Sequence, residues 1–585
     1  MTMKKIGIGY ENYKEFIDQD MYYVDKTLLI KDILEIGGKT TLFTRPRRFG
    51  KTLALSMLRT FFELEYAFDG NIIDKREYFE EKKIMDAGAD VLSMMGKYPV
   101  IKLSLKSAKQ PDFYSSFIRI RDDIVDEFSR HSYLRKSNRL DNNDIDTFER
   151  FLSGKNTWYK NQDELKSLEE KEILFREEVA RYAVAIKTLS ELLNKHHEKK
   201  VIILIDEYDV PLENAYYSGF YPEMVSFIRS LFESALKTND ALERAVVTGC
   251  LRISKESIFT GLNNLQINSV RSRDFGEFFG FTQSETEEML KAYDLADNIE
   301  TVRDWYDGYL FGETEVYNPW SVIKYVSEHI GAPERFPEPY WSNTSSNSII
   351  KDLVEKADER TKEELDLLIR GGSVEKKIHE DITYEDIYSS GENLWNFLFF
   401  TGYLKKGSER FEDKNIYLTL TIPNKEVGYI YENKISDWFD NVVNSTDRKA
   451  LYDAIINKDT KATEDYVSEL LMKSISTFDS AESFYHGFFL SLLHDMPKYS
   501  VRSNREEGLG RPDIVLYPLR PRDPAYIFEI KTRDKFSEMN AGLEEAFTQI
   551  RNQKYEEGIL SDGYASVVSF GVCFCRKSCV VGMSE

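Results

Sequence analysis

Residues 40–52 read TTLFTRPRRFGKT, and this stretch decides how the N-terminal part of the chain is expected to fold. The β-rich run Thr40–Thr44 leads through the loop RPRRFGKT into LALSMLRTFFELEY, which is apolar at helical spacing. Backbone N–H groups of such a loop, together with the helix N-terminus behind it, attract phosphate. The pattern therefore predicts an ATP site in which Lys51 reaches the β- and γ-phosphates and the Thr52 hydroxyl holds Mg²⁺.

A second apolar run, VIILIDEYD at 201–209, supplies the acids that a phosphate loop requires. Because open parallel sheets bind ligands at the carboxyl ends of their strands, Asp206 is predicted to hold Mg²⁺ there. Glu207 is predicted to orient or deprotonate the attacking water, and a solvated strand end is the alternative for both acids. Thr248 ends the buried run AVVTG and is a candidate sensor of the γ-phosphate. Arg252 is a candidate for stabilising transferred charge or, equally, a surface ion-pair residue.

The loop departs from the common phosphate-loop pattern at its first position, where Arg45 replaces glycine. Arg45, Arg48 and Gly50 are nevertheless expected to complete the nucleotide site. Arg48, like Arg47, is equally compatible with contact to a neighbouring subunit or with solvent. Tyr23 lies upstream and could line a base pocket, although packing in the core is the better expectation for an aromatic residue.

Two carboxylates and a lysine recur on neighbouring strands near the C-terminus. Asp513 opens the run IVLY, whereas Glu529 and Lys531 lie two residues apart in AYIFEIKT and therefore share one face of their strand. Adjacent strands can bring the three side chains together, and carboxylate oxygens suit Mg²⁺ or Mn²⁺. Such a cation polarises a phosphodiester and activates water, while Lys531 positions that water or offsets developing charge. A simple ion pair between Glu529 and Lys531 at a sheet edge is the alternative.

Further residues surround this predicted metal centre. Glu482, in the helical run AESFYHGFFLSLL, is a candidate third carboxylate ligand, and His486 lies on the same face of that helix without an assigned role. Gln549 and Tyr555 follow on a later helix and could border the same groove, although their six-residue spacing does not place them on one helical stripe.

The composition limits the classes of function. The 585 residues carry 78 basic and 100 acidic side chains, and a net charge of −22 argues against a protein that coats nucleic acid through bulk charge, but not against a local basic cleft. No apolar run approaches the ~18 residues that span a bilayer, and the N-terminal stretch lacks the apolar core of a signal peptide. We therefore expect a cytoplasmic protein without membrane contact. The four cysteines are too few for a disulfide framework, and Cys573, Cys575 and Cys579 are expected to be buried free thiols rather than a zinc site.

Apolar strands separated by helices predict an α/β protein with three domains. Residues 1–280 are expected to form a P-loop ATPase domain with a parallel sheet and flanking helices. Residues 281–440 are expected to form a helical linker domain with a winged or hairpin element near 398–422. Residues 441–585 are expected to form a restriction-endonuclease-like α/β domain.

Taken together, these motifs resemble the bacterial AAA-ATPase-like proteins that carry a C-terminal PD-(D/E)XK nuclease-superfamily module. The stretches that carry the resemblance are YYVDKT (22–27), RPRRFGKT (45–52), LIDEYD (204–209), TGCLRISKESIFTGLNN (248–264), WYDGYLFG (305–312), VYNPWSV (316–322), GRPDIVL (510–516), FEIKT (528–532) and QIRNQKY (549–555). In that family arginine is usual at the first loop position. The resemblance implies ATP binding at the loop and at Asp206 and Glu207. It also implies a nuclease-like core at Asp513, Glu529 and Lys531, with accessory positions at Glu482, Gln549 and Tyr555.

The leading hypothesis is an ATP-gated nuclease that depends on Mg²⁺ or Mn²⁺ and acts on nucleic acid, with DNA as the favoured substrate. A homo-oligomer is an open possibility. One alternative is a nucleotide-sensing switch whose nuclease-like module is inert. The other is an ATPase that remodels nucleoprotein and uses the C-terminal module only to grip DNA.

Overall fold

The computed structural model describes residues 3–67, 71–155, 167–252, 258–259, 264–341, 359–369, 371–379, 391–431, 448–473, 482–503 and 512–584. The chain divides into two compact units, of which the first contains Met1–Ser345 and Ser373–Gly428 and the second contains Ser346–Gly372 and Tyr429–Glu585. The expected domain boundary at 280 lies inside the first unit. The expected boundary at 440 lies outside the described residues.

A five-stranded parallel sheet forms the centre of the first unit. Its strands are β1 (Thr40–Thr44), β2 (Val100–Ser104), β3 (Val201–Asp206), β4 (Leu242–Gly249) and β5 (Leu265–Asn268), in the order β2-β3-β4-β1-β5. Every residue of β1 and β3 is buried, as expected for strands that are covered by helices on both faces. Because β4 lies between β1 and β3, the carboxyl ends of these three strands meet at one edge of the sheet.

Helices surround this sheet. The α-helices of the first unit are Tyr13–Asp18, Leu29–Glu35, Lys51–Phe62, Ala89–Leu92, Phe113–Arg130, Asn142–Leu152, Leu168–Tyr182, Ala185–His197, Val210–Ser218, Tyr221–Phe232, Gln283–Ala292, Ile299–Tyr306, Pro319–His329 and Gly391–Phe400. The short 3₁₀ turns are Arg76–Tyr78, Lys83–Asp86, Lys106–Ala108, Ser132–Lys136, Gly276–Phe278 and Ala296–Asn298, and Glu233–Lys237 is a π turn.

The residues that follow the parallel sheet add two small antiparallel sheets to the first unit. Strands β6 (Tyr309–Phe311) and β7 (Thr314–Val316) form a two-stranded ribbon. Strands β8 (Val374–Ile378), β9 (Lys405–Glu412) and β10 (Asn415–Thr421) form a three-stranded sheet in the order β8-β10-β9. The hairpin expected near 398–422 is formed by β9 and β10.

The second unit is built on a mixed five-stranded sheet. Its strands are β11 (Tyr499–Ser503), β12 (Ile514–Pro518), β13 (Ala525–Thr532), β14 (Val567–Cys575) and β15 (Ser578–Met583), which are neighbours in that order. Among the described strands of this sheet, β13 and β14 run parallel, and the other neighbouring pairs are antiparallel. The helices of the unit are Glu359–Ile369, Lys449–Ile456, Thr460–Lys473, Glu482–Leu493, Met539–Asn552 and Tyr555–Ser561, with a 3₁₀ turn at Phe536–Glu538.

These features confirm the predicted α/β class, with a parallel sheet in the N-terminal part and a smaller mixed sheet at the C-terminus. Cys573, Cys575 and Cys579 are buried free thiols, as expected, and Cys250 is a half-buried one. None of the helices in the described part of the chain is both long and apolar enough to cross a membrane.

Candidate nucleotide and metal sites

The phosphate loop connects the end of β1 to the helix Lys51–Phe62. Gly50 caps this helix with φ 79°, a left-handed conformation that glycine adopts at little cost. The Lys51 ammonium folds back over the loop and donates hydrogen bonds to the carbonyl oxygens of Arg45, at 2.9 Å, and Pro46, at 2.8 Å. The lysine therefore has two internal acceptors that phosphate oxygens can replace.

Asp206 links the three strand ends that meet at this edge. Its Oδ2 accepts a hydrogen bond from the Thr52 hydroxyl at 2.7 Å, and its Oδ1 accepts one from the Thr248 hydroxyl at 2.5 Å. The structure thus brings together Thr52, Asp206 and Thr248, which lie far apart in the sequence. A hydroxyl and a carboxylate at the mouth of a phosphate loop form a donor set that suits Mg²⁺, so the residues present fit the expected cation.

Glu207 follows Asp206 in a strained backbone conformation. Its φ of 51° is uncommon for a residue with a side chain, and such strain is concentrated at functional sites. Burial, and next the neighbouring Asp206 charge, raise the pKa of the Glu207 carboxyl above its usual range. A carboxylate with a raised pKa is a better proton acceptor at neutral pH.

A cavity of about 500 Å³ opens over the loop and accounts for several predicted residues at once. Its polar wall includes Arg48, Gly50, Lys51, Thr52 and Glu207. The lining also includes the aromatic and apolar residues Tyr22, Tyr23, Phe281, Met289, Trp320 and Ile323. Tyr23 also packs edge-on against Tyr13, with ring centroids 5.1 Å apart, so it is both a core residue and a cavity residue.

Arg45 does not border this cavity. Its side chain is fully buried, and its Nη1 donates to the carbonyl oxygens of Thr44, at 2.9 Å, and Asn268, at 2.8 Å. The guanidinium also lies over the rings of Phe279 and Phe311, at 5.3 and 5.0 Å from their centroids. Arg45 therefore ties the end of β1 to β5, and the structure gives no support to its expected contact with nucleotide.

The other side chains of the loop also pack against residues that come later in the chain. The Phe49 ring lies 4.9 Å from the Tyr309 ring, and the Arg48 guanidinium stacks on Trp320 at 3.9 Å from the ring centroid. A Cβ on Gly402 would come within 2.9 Å of Pro46. The RPRRFG sequence is thus explained by packing as well as by phosphate binding.

Sequence reasoning missed Asp209, the acid that fixes the loop after Thr248 through hydrogen bonds. Asp209 is buried, and its Oδ2 accepts hydrogen bonds from the backbone N–H groups of Cys250, at 2.8 Å, and Leu251, at 3.0 Å. Its position at the end of LIDEYD was the available signal. Arg252 follows this loop as a half-buried residue that is not part of the cavity wall.

The second unit brings Asp513 and Glu529 together. Ile514 on β12 pairs with Phe528 on the antiparallel strand β13. Asp513 precedes Ile514 and Glu529 follows Phe528, so the two acids lie opposite each other. Asp513 Oδ2 accepts a hydrogen bond from the Ile530 N–H at 2.8 Å, so its carboxylate turns toward β13. The predicted convergence of the two acids is therefore present in this geometry.

Glu529 is fully buried and only partly compensated. Its Oε1 accepts a hydrogen bond from Lys531 Nζ at 3.1 Å, whereas its Oε2 has no hydrogen-bond partner among the described residues. Burial, and next the Asp513 charge, raise the pKa of Glu529 to about 7. A buried carboxylate oxygen that faces another acid and lacks a partner fits a divalent cation, because a cation supplies the missing positive charge.

The remaining expected members of this centre are placed as follows. Glu482 begins the helix Glu482–Leu493, but its side chain lies outside the described residues. In the described part of the chain, no group of three His, Cys, Asp or Glu side chains is arranged to hold a metal ion. His486 Nε2 lies 2.9 Å from the Asp513 carbonyl oxygen. Gln549 Nε2 donates a hydrogen bond to Tyr555 Oη at 3.4 Å. This contact is possible because one helix ends at Asn552 and the next begins at Tyr555.

These sites define two classes of domain in one chain, a P-loop nucleotide-binding domain and a nuclease-fold domain. Residues 7–259 match the family described as predicted AAA-ATPase, and residues 480–584 match the PD-(D/E)XK nuclease superfamily. The chain therefore carries an AAA-ATPase-like domain followed by a PD-(D/E)XK nuclease-superfamily domain.

A curated relative matches across part of the chain. It is the uncharacterized protein in vnfD 5′ region from Azotobacter chroococcum mcd 1, which is 27% identical over 364 residues. The match covers 60% of this chain and 57% of the relative, so the chain spans little more than half the length of the curated relative that it matches.

Proposed function

We propose that this protein binds and hydrolyses ATP in its first unit and that this gates metal-dependent hydrolysis of nucleic acid, with DNA as the favoured substrate, in its second unit. The observation that carries the proposal is the buried, partly compensated Glu529 beside Asp513 and Lys531 in a chain that also joins Thr52, Asp206 and Thr248. Both family matches support the coarser assignment to ATPase and nuclease domains.

The first unit supports ATP binding through a cavity that both polar and aromatic residues line. Lys51 exchanges its two carbonyl acceptors for phosphate oxygens, while the aromatic lining residues such as Tyr23 offer a surface on which a base stacks. Thr52 and Asp206 would hold Mg²⁺, which when bound offsets the negative charge of the phosphates. Arg48 lines the same cavity as a second cation near the phosphates.

Hydrolysis of ATP requires a base beside the γ-phosphate. Glu207 lines the cavity and accepts the proton of the attacking water, a role that its raised pKa favours. Thr248 touches Asp206 from the strand between the loop and the acids, which makes it the residue that senses the state of the γ-phosphate. Arg252 remains a candidate for stabilising transferred charge from the loop that follows.

The second unit supports phosphodiester hydrolysis through its acids and lysine. Asp513 and Glu529 would hold Mg²⁺ or Mn²⁺, with Glu482 as a further candidate ligand, and the bound cation would polarise the scissile phosphate. Lys531 reaches the same point, where it positions water or offsets charge on the phosphate. His486 holds the backbone of Asp513, and so it orients the strand that carries this acid.

The full-length protein tests the proposal directly. With Mg²⁺ or Mn²⁺ and ATP, it is expected to cut single- or double-stranded DNA or RNA, and Asp513→Ala and Lys531→Ala are each expected to abolish cutting. Exposed Asp562→Ala and Lys535→Ala are matched controls that keep it. Intact nucleic acid under all these conditions, or cutting that survives Asp513→Ala, would overturn the nuclease assignment.

A second candidate is an ATPase whose C-terminal module grips DNA without cutting it. It is favoured by the lack, within the described residues, of a third metal-ligating side chain beside Asp513 and Glu529. This candidate predicts an ATPase rate that DNA stimulates, with no cleavage. A nucleotide-sensing switch, in contrast, predicts ATP binding that Lys51→Ala removes, without DNA stimulation of turnover.

A further inference from the structure

Arg48 lies in an unusual environment for a residue of a phosphate loop. Its backbone has φ 69°, and its guanidinium stacks on Trp320, which also lines the nucleotide cavity. No residue in the described part of the chain accepts a hydrogen bond from its buried Nη1. The cation is thus held beside the cavity by a ring face, which leaves it able to turn toward an anion that enters.

The residue that follows Trp320 contacts a buried acid that the proposed reaction does not use. Glu426 is fully buried, and Ser321 Oγ donates to its two carboxylate oxygens at 2.9 and 2.8 Å. The backbone N–H of Trp341 donates to Glu426 Oε1 at 2.8 Å. Ser321 follows Trp320 in the helix Pro319–His329, so the ring on which Arg48 stacks and the hydroxyl that donates to Glu426 belong to neighbouring residues.

The connectivity of the chain gives the hydrogen bonds of Glu426 a consequence. The first unit ends at Ser345, resumes at Ser373 and ends again at Gly428. Trp341 precedes the first of these exits by four residues, and Glu426 precedes the last by two. One buried carboxylate therefore fixes the backbone near two of the three points at which the chain passes between the units.

We propose that Arg48, Trp320 and Glu426 form a coupling cluster that responds to the nucleotide and transmits its state to the two chain exits near Trp341 and Glu426. This inference rests on the proposed binding of ATP in the first unit. A triphosphate competes with Trp320 for the Arg48 guanidinium, because a charge-assisted hydrogen bond to phosphate is stronger than stacking on a ring. Release of the Trp320 ring then shifts the neighbouring Ser321, and the segments that Glu426 holds can rearrange.

In this cluster Arg48 contacts the nucleotide, whereas Glu426 is a positioning residue that acts through Ser321 and Trp341. The role of Glu426 differs from that of a core residue that only stabilises the fold. A merely structural glutamate would be needed equally with and without nucleotide, while the coupling cluster requires it for the difference between the two states.

Fluorescence of the full-length protein at saturating ATP and Mg²⁺ tests the first step. Release of the guanidinium from the indole is expected to change the tryptophan emission of the wild-type protein, and Trp320→Phe is expected to remove most of that change. ATP binding is measured separately by equilibrium dialysis with labelled nucleotide. If wild-type protein binds no ATP, the proposed function itself fails. If ATP binds and the emission change persists in Trp320→Phe, only the coupling cluster is wrong.

Hydrogen exchange tests the second step. In wild-type protein, ATP is expected to change the exchange rate at least threefold in peptides that contain Trp341 and Glu426. Ser321→Ala and Arg48→Lys are each expected to abolish this change at saturating ATP, whereas the exposed Glu315→Gln serves as the matched control that keeps it. Arg48→Lys keeps the test valid if Ser321→Ala fails to fold. An ATP-induced change that survives in both variants would overturn the inference.

Discussion

The two acidic sites of this chain are compensated in opposite ways. In the first unit, Asp206 has a hydroxyl donor on each oxygen, so its charge is stabilised before any cation arrives. In the second unit, Glu529 has one lysine contact, one unpartnered oxygen and an acidic neighbour. The nucleotide site is therefore preorganised by its own side chains, whereas the nuclease-like site is compensated fully only when it holds a cation or a proton.

Loss of the proposed base is expected to have the largest effect on the preorganised site. Glu207→Gln keeps the shape of the side chain but removes proton acceptance, so ATP turnover should fall about 10²- to 10⁴-fold while ATP binding persists. Steady-state phosphate release and equilibrium dialysis measure the two quantities. Exposed Glu223→Gln should leave both unchanged. Turnover within a few-fold of wild type in Glu207→Gln would assign the base to another residue.

Substitution of Arg45 tests whether tertiary packing also holds the nucleotide site in place before nucleotide binds. Arg45→Ala removes two hydrogen bonds to buried carbonyl oxygens and leaves a void between aromatic rings, which is expected to cost about 3 kcal/mol of unfolding free energy. Denaturant unfolding of the full chain measures this loss, with exposed Arg76→Ala as control. Unchanged stability together with weakened ATP binding would instead make Arg45 a nucleotide ligand.

The second site is expected to show a metal affinity that depends on pH. With a Glu529 pKa of about 7, the cation must displace a proton at lower pH, so Mn²⁺ affinity should rise up to about tenfold per pH unit below 7 and level off above it. Electron paramagnetic resonance of Mn²⁺ in nucleotide-free Asp206→Asn protein isolates this site. Glu529→Gln should abolish the binding, and a flat affinity between pH 5.5 and 8 would contradict the assignment.

The sequence predicts the parts of each site that short-range patterns encode. Strand, loop and helix around Gly50 follow from local periodicity and glycine chemistry, and the common face of Glu529 and Lys531 follows from the alternation of a strand. The order β2-β3-β4-β1-β5 puts Thr248 beside Asp206, whereas the sequence predicts Thr248 only as a sensor of the γ-phosphate at a strand end. Local patterns thus give the chemistry when the topology only has to bring strand ends to one edge.

Other features depend on contacts that no local pattern encodes. The position of Arg45 in the loop suggests a phosphate ligand. Its side chain nevertheless points into the core, where it donates a hydrogen bond to the Asn268 carbonyl oxygen and packs against two phenylalanine rings. Glu426 lies in a stretch that carries no recognised motif, and its importance comes from residues 85 and 105 positions away. Such long-range partners are properties of the tertiary structure, so sequence reasoning about single segments did not find them.

The smallest expected effect concerns Glu426, which resembles Glu529 in its burial but has hydrogen bonds to both oxygens. Burial raises the Glu426 pKa from its ordinary 4.5 to about 8, so between these pH values the folded state retains a proton that the unfolded chain releases. The stability of the first unit should therefore be highest at low pH on this account and fall as pH rises toward 8, by at most about 1.4 kcal/mol per pH unit. Glu426→Gln cannot ionise and should flatten this slope in denaturant unfolding between pH 6 and 8, whereas Glu315→Gln should preserve it. An equal slope in wild type and Glu426→Gln would mean that the carboxyl is already ionised in the folded protein, and that Arg48 compensates Glu426 as fully as the two threonines compensate Asp206.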